Sequence, residues 1–331
     1  MRIAINGFGR IGRTILRQIL SDPAHADIEV VLLNDIAPRA DCAYLFQYDS
    51  VYGPYPAPVR ATGDALEVGG RSIAFSSEAA PARLALDKVD VLLDCTGMEG
   101  TRAAAEAGRA AGARDVLISG PCLEAECTVV LGANDATLGD ARIVSNASCT
   151  TNALAPLLKA LDDAHGVVSG HMTTVHCYTG SQPSVDKPRG PFERSRAAAV
   201  SMVPTTTSAA KLIDHVLPGL AGRVTGAAVR VPSLSVSAVD LVVQLDRPFG
   251  GDAADAVRAL AEASPVLGVS EDPCVSVDMR ARPESLVLVP REAMAVGERQ
   301  LRVFGWYDNE WGFSARMLDM ARRMAARHEG A

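Results

Sequence analysis

Six residues near the start of the chain restrict its fold more than any other stretch. Gly7-Phe8-Gly9-Arg10-Ile11-Gly12 follows the apolar run Ile3-Ala4-Ile5 and opens an amphipathic stretch over 11–20. A strand that turns through G-x-G-x-x-G into a helix uses each glycine for a steric reason: a tight turn, close approach of a ligand to the backbone, and close helix–strand contact. The helix start adds unpaired amides and the positive end of a dipole, a setting that suits a pyrophosphate. Taken alone, the triplet is equally met by a plain tight turn. Asp35 narrows the choice, because it ends the second apolar run, 30–34. A carboxylate there accepts hydrogen bonds from ribose hydroxyls and repels a 2′-phosphate, which predicts NAD rather than NADP. The plainer role for Asp35 is a helix or turn cap.

The first half alternates β-branched runs at 2–6, 30–34, 89–94 and 115–119 with helical stretches at 11–20 and 101–111. This predicts an α/β fold with an N-terminal doubly wound (Rossmann) parallel sheet. Thr96-Gly97 and Ser119-Gly120 end later strands, on the edge where such sheets bind ligands. The second half changes to valine- and threonine-rich strands at 170–177, 226–231 and 235–245, with helices at 150–162, 208–216 and 253–263. An α+β catalytic domain with a mixed sheet is expected there. Between them, 179–196 holds three prolines and two glycines and predicts a long loop, a kind of segment that commonly carries function. A chain of 331 residues is long enough for two domains. The expected division is an NAD-binding domain over 1–148, joined by a C-terminal helix over 312–331, and a catalytic domain over 149–311.

The net charge of −7 argues against nucleic acid and anionic membranes as partners, since both require a basic footprint. No apolar run approaches the roughly 18 residues of a membrane-spanning helix. The run Ile3–Ile5 is cut at once by Asn6-Gly7, so it reads as a strand and not as a signal region. Seven cysteines, an odd number without C-x-x-C pairs, fit a reducing cytoplasm. Cys122 and Cys127 lack neighbouring histidines, so no metal site is expected.

Ser145-Asn146-Ala147-Ser148-Cys149-Thr150-Thr151-Asn152 precedes an apolar helical run, which places Cys149 at a helix start where dipole and free amides favour a thiolate. Its plainer role is that of a small buried hydrophobe. His176 ends the run Thr173-Thr174-Val175 and is the histidine placed to approach Cys149; a strand histidine is otherwise often structural. A thiol–imidazole pair is the usual way to activate a cysteine. For Cys177, burial is the expected role. Pro204-Thr205-Thr206-Thr207-Ser208 is a hydroxyl cluster at another helix start, suited to a phosphate or simply to capping. Arg194, Arg196 and Arg230 offer bidentate partners for phosphate oxygens, although each singly is ordinarily solvated.

At these residues the chain resembles the glyceraldehyde-3-phosphate dehydrogenase family. The resemblance is carried by Ile5–Arg13, by the eight residues 145–152, by Val203–Lys211 without its usual glycine, and by Trp306-Tyr307-Asp308-Asn309-Glu310, and it runs essentially end to end. It implies Cys149 as nucleophile and His176 as general base. It also implies Arg10, Ile11 and Asp35 on the dinucleotide, and Asn309 near the nicotinamide carboxamide. Thr179 and Arg230 would hold the substrate's phosphate. Ser148, Thr150, Arg194, Thr207 and Ser208 would hold an attacking inorganic phosphate. Family members are cytoplasmic homotetramers with the 179–196 loop at a subunit interface.

The chain departs from the family pattern at Gly180-Ser181, Lys187, Glu193 and Ser208. Residues 161–166 and 309–313 look closer to erythrose-4-phosphate dehydrogenase, in which water replaces phosphate as acyl acceptor, whereas Tyr178-Thr179 resembles the glyceraldehyde-3-phosphate enzyme. Two further classes remain: a cofactor-free cysteine acyl-transferase, which leaves the glycine triplet and Asp35 unexplained, and a non-catalytic NAD-binding protein.

Overall fold

The computed structural model describes residues 1–97, 102–188 and 190–328. The described residues form two compact units, one from Met1–Val129, Ala136–Ala147 and Ser314–Ala331, the other from Val130–Asp135 and Ser148–Phe313. In the first, nine described strands run in the order Cys127–Thr128, Ile143–Ser145, Asp115–Ile118, Val91–Asp94, Arg2–Asn6, Glu29–Asn34, Arg71–Ser76, Ala65–Val68 and Val59–Thr62. All pairs up to Arg71–Ser76 are parallel. Strand order reverses on either side of Arg2–Asn6, and an open parallel sheet presents its ligand crevice at such a switch point, just where Gly7 leaves the strand. The central strands Val91–Asp94 and Asp115–Ile118 are buried along their whole length. Burial on both faces explains their near-continuous apolar character.

The glycine turn is tight because the backbone demands it. A Cβ on Gly12 would lie 2.2 Å from the Gly7 carbonyl oxygen, and one on Gly7, whose φ is +94°, would lie 2.5 Å from the Cys95 carbonyl carbon. Gly9 differs, since a Cβ there meets nothing within 4 Å. Helix Arg10–Ser21 then buries Gly12, Ile15, Leu16 and Ile19 against the sheet.

Two features of this unit depart from the expected pattern. The sheet ends in an antiparallel meander, Val59–Thr62, Ala65–Val68 and Arg71–Ser76, so it is not purely parallel. A helix, Arg39–Gln47, follows Asp35; its apolar side chains encircle the axis, with Cys42, Ala43 and Phe46 inside and Tyr44 and Leu45 outside. That arrangement gives little periodicity to read. The helix expected at 101–111 is seen as Arg102–Ala110 and the one expected at 312–331 as Trp311–Ala326, while Thr101, Arg189 and 329–331 lie outside the described residues.

The second unit holds a mixed sheet in the order Val203–Thr205, Val224–Val231, Val167–Cys177, Ser237–Leu245, Gln300–Tyr307, Leu286–Leu288 and Leu267–Val269, with Met294–Val296 also on Gln300–Tyr307. Strand Val167–Cys177 is parallel to Val224–Val231 and antiparallel to Ser237–Leu245. Its alternation sends Met172, Thr174 and His176 to the buried face, and His171 and Val175 to the exposed one. Helices Cys149–His165 and Ala209–Val216 pack on this sheet. Inside the long loop, Phe192–Ser195 forms a short 3-10 turn. Among the described residues no helix is long and apolar enough to cross a membrane.

Gly12→Ala should cost about 1–3 kcal/mol, because backbone atoms cannot give way as side chains do. Gly9→Ala should change stability by no more than about 0.5 kcal/mol. Urea unfolding of both variants measures the contrast, and equal costs would contradict the packing described.

Candidate active site

Ser148 N-caps helix Cys149–His165: its Oγ accepts from the Thr151 amide at 3.1 Å and lies 2.7 Å from Thr151 Oγ1. Cys149 is therefore the first residue of the helix, where the backbone amides lack intrahelical partners. Its Sγ lies 3.6 Å from His176 Nε2. Sheet pairing sets Arg230 beside His176, and Arg230 Nη1 lies 2.7 Å from His176 Nδ1 and 3.0 Å from the Cys177 carbonyl oxygen to which it donates. That carbonyl is also 2.7 Å from His176 Nδ1.

The electrostatics of the pair set burial against the helix start and the neighbouring cation. Burial raises the Cys149 thiol pKa above its ordinary value, and the Arg230 cation and hydrogen bonds at the helix start offset this only in part. Burial likewise pushes His176 down to about 4, helped by Arg230, while the Cys177 carbonyl pulls the other way. Desolvation thus favours the uncharged form of both groups, and the Arg230 cation and the hydrogen bonds at the helix start work against it at the sulfur.

A second layer holds these groups in place. Tyr307 is fully buried, and its hydroxyl lies 2.9 Å from both Thr150 Oγ1 and Thr174 Oγ1. Its ring meets His176 edge-on at 6.0 Å between centroids. Asn309 Oδ1 accepts from Cys177 Sγ at 3.1 Å and Ser237 Oγ at 3.3 Å, which leaves Nδ2 without a hydrogen bond to described residues. Asp308 accepts from the Glu310, Trp311 and Ala281 amides, fixing the corner that carries Asn309.

The hydroxyl and arginine candidates are less closely gathered. Arg194 Nε donates to Thr205 Oγ1 at 2.8 Å and Nη2 to Thr206 Oγ1 at 3.2 Å, so it is tied to the threonines preceding Thr207. Thr207 Oγ1 caps the Ala209 amide at 3.2 Å, whereas the exposed Ser208 makes no side-chain cap bond. Thr179 Oγ1 pairs with Ser181 Oγ at 3.0 Å. Arg196 is bound to Asp186. The Thr150 side chain is buried against Tyr307, so it is the amide at that position that a ligand would meet.

In the first unit, Asp35 Oδ2 accepts from the Phe8 amide at 2.7 Å and Oδ1 from the Ala37 amide at 2.8 Å. Each oxygen retains a lone pair for a ribose hydroxyl. Arg10 pairs with Asp49 and stacks over Tyr52. Ile11 follows it in the first helical turn. Thr96 Oγ1 donates to Asp94 Oδ1 at 2.9 Å, Gly97 has a φ of +65°, and the Ser119 amide donates to the Asp94 carbonyl. The open space at Gly9, the helix start behind it and the half-satisfied Asp35 fit a dinucleotide. Among the described residues no cluster of metal-ligating side chains occurs.

Comparison with known proteins agrees with this arrangement. The family model for glyceraldehyde 3-phosphate dehydrogenase, NAD binding domain, matches residues 1–102, and that for the C-terminal domain matches 148–309. A glyceraldehyde-3-phosphate dehydrogenase of Cereibacter sphaeroides is 45% identical over 328 residues, spanning 98% of both chains. One of Pseudomonas aeruginosa is 46% identical over 330 residues, and one of Xanthobacter flavus 44% over 330, each spanning 98% of both chains. The chain belongs to the glyceraldehyde-3-phosphate dehydrogenase family. As a member it is an NAD-dependent oxidoreductase, and its N-terminal domain binds NAD. The erythrose-4-phosphate alternative is not favoured by these relatives.

Sequence reasoning leaves out several residues that hold the nucleophile in one unit and the glycine turn in the other. Tyr307 was noticed only as part of a segment, and Ser237 not at all. Asn6 likewise enters only within its segment, and Asn34 only as the end of a strand. Asn34 Nδ2 donates to Asn6 Oδ1 at 2.7 Å, tying together the ends of the first two strands. Polar residues that close otherwise apolar strands, as Asn6, Asn34 and Tyr307 do, were the available signal.

Iodoacetamide labelling of Cys149 in the ligand-free protein should rise with pH to a midpoint above the ordinary thiol value of about 8.5. Because His176 is neutral there, His176→Asn should leave that midpoint nearly in place. Fast labelling at pH 6 that disappears in His176→Asn would show a preformed ion pair instead.

Proposed function

We propose that the chain oxidises D-glyceraldehyde 3-phosphate with NAD and passes the acyl group from Cys149 to inorganic phosphate, giving 1,3-bisphosphoglycerate. The observation that carries this reading is Cys149 Sγ at a helix start, 3.6 Å from His176 Nε2, in a chain with an intact dinucleotide turn.

Cys149 Sγ adds to the aldehyde carbon as its proton passes by way of His176 Nε2 to the carbonyl oxygen, giving a hemithioacetal. The Cys149 amide at the helix start stabilises the oxygen while it carries negative charge. His176 then removes the hydroxyl proton as the C–H electron pair leaves as hydride, and a thioester remains on Cys149. Bound NAD supplies the hydride acceptor. Phosphate attacks the thioester carbon, the C–S bond breaks, and His176 returns a proton to the departing sulfur.

Gly7, Gly9 and Gly12 admit the dinucleotide, with Arg10, Ile11, Asp35, Thr96, Gly97 and Ser119 around it. Asn309 Nδ2 is the donor for the carboxamide. Arg230 and Thr179 hold the substrate's phosphate. Ser148, Thr150, Arg194, Thr207 and Ser208 receive the attacking phosphate; the exposed Ser208 side chain, which makes no cap bond of its own, supports this second role.

The enzyme works as a cytoplasmic homotetramer in this reading. Supporting the oligomer, the long loop exposes Phe192 to 92%, the segment just after it exposes Val200 and Met202, and the outer sheet face of the second unit exposes Val175 and Val242. Large exposed apolar groups of this kind are the usual mark of an interface. All seven cysteines are free, in keeping with a reducing compartment.

Cys149→Ser should reduce turnover by about a thousandfold or more while NAD still binds, since the serine hydroxyl is a far weaker nucleophile than the cysteine sulfur. Oxidation of glyceraldehyde 3-phosphate should accelerate with added phosphate, and arsenate should replace it. Phosphate-independent turnover that is faster with erythrose 4-phosphate would overturn the assignment.

A further inference from the structure

Three polar atoms beside the reactive pair cannot all be satisfied. His176 Nδ1, the Cys177 carbonyl oxygen and Arg230 Nη1 form a triangle with sides of 2.7, 2.7 and 3.0 Å. If Nδ1 carries the proton, it donates to the carbonyl, and the Arg230 donor is pressed against a second donor. If Nδ1 is bare, it accepts from Arg230 but sets its lone pair against the carbonyl oxygen. Either tautomer leaves one repulsive contact, and an imidazole nitrogen is donor or acceptor but never both. The ring cannot turn away, because the Tyr307 edge, Cys149 Sγ and its own strand confine it. Arg230 is the member able to move: it is only partly buried, and its Nε and Nη2 make no hydrogen bond to described residues.

We infer that Arg230 restrains His176 until the substrate's phosphate draws the guanidinium away, so that recognition of the anion itself turns the imidazole into a working base. This rests on the proposed function and deepens it: Arg230 acts as a positioning residue for His176 as well as an anion partner. With Arg230 withdrawn, the Cys177 carbonyl is the sole partner of Nδ1 and holds the proton there. Nε2 is then bare and faces Cys149 Sγ, the tautomer a general base requires. The titratable and charged groups facing the ring are Cys149 from the helix start, Arg230 from the neighbouring strand, Tyr307 from strand Gln300–Tyr307, and Cys177 beside it, with Glu310 further out near Cys177. Burial and the Arg230 cation both hold the imidazole down, and departure of the cation removes the second cause. An aldehyde without phosphate leaves the restraint in place, so the chemistry is reserved for phosphorylated substrates.

The test divides the substrate into two pieces. The NAD-loaded enzyme is mixed rapidly with D-glyceraldehyde, and the first-turnover burst of NADH is followed across pH with and without phosphite, a dianion that mimics the missing phosphoryl group. Phosphite should speed the burst by about tenfold or more and move its acid limb upward by about one pH unit, as expected for a base of higher pKa. Arg230→Leu should show the raised limb without phosphite and no response to it. Arg194→Leu should respond to phosphite like the wild type, which assigns the effect to the Arg230 site. If phosphite neither accelerates the burst nor shifts its limb, while glyceraldehyde 3-phosphate is still oxidised, the inference fails and the function stands. If glyceraldehyde 3-phosphate is not oxidised by the wild type, the functional reading itself fails. The wild-type comparison requires no variant to fold.

Discussion

The hydroxyl of Tyr307 joins the two elements that carry the reacting groups. It lies 2.9 Å from Thr150 Oγ1, in the first turn of helix Cys149–His165, and 2.9 Å from Thr174 Oγ1, two residues before His176. One phenol has a single proton and lone pairs to spare, so it can bond both threonines at once. Loss of that hydroxyl would leave two buried threonine oxygens without their partner, a cost of about 1–3 kcal/mol for each buried group left unsatisfied. The separation between sulfur and imidazole thus depends on a buried side chain that never faces the ligand.

The same region concentrates backbone strain. Among the described residues four non-glycine residues have positive φ, and three of them adjoin this machinery: Ala147 at +55°, Val236 at +66° and Ala281 at +61°. Ala147 turns the chain into Ser148, the cap of the nucleophile's helix. Val236 precedes Ser237, whose hydroxyl accepts from the Cys177 amide and donates to Asn309. Ala281 donates its amide to Asp308. Left-handed conformations at non-glycine residues cost about 1–3 kcal/mol each and persist where surrounding contacts over-determine them. Here they coincide with the residues that aim Cys149 and Asn309.

What was legible in the sequence divides along the same physical line. The glycine turn could be read because much of its steric demand is local: a Cβ on Gly12 would meet the Gly7 carbonyl within the same turn, and Gly7 itself has a φ of +94°. Cys149 and His176 could be singled out by their places at a helix start and a strand end, although nothing in their spacing places them within contact. The antiparallel meander after Asp35 was not legible, because short edge strands such as Val59–Thr62 are largely exposed and carry little alternation. Helix Arg39–Gln47 escaped for the same lack of periodicity. Tyr307, Ser237 and the Asn6–Asn34 pair act only through partners distant in sequence, and such partners exist only in the folded chain. The helix start at Cys149 is a local property that can be read from the sequence, whereas the burial that opposes it is a tertiary one.

Sheet register is what couples these properties. In strand Val167–Cys177 side chains alternate between faces, so a slip of one residue would bury Val175 and expose His176. The parallel pairing with Val224–Val231 sets Arg230 opposite His176, and residues opposite one another in a sheet project to the same side. A cation beside the imidazole is therefore a consequence of strand pairing and not of a movable loop. Burial on that face strengthens the interaction between the two groups, since little water remains to screen it. It also denies the imidazole a solvent partner that could relieve the crowded triangle at Nδ1. Relief must come through Arg230, whose unbound nitrogens are free to meet an anion, and so the register that builds the base also makes its basicity depend on what Arg230 holds.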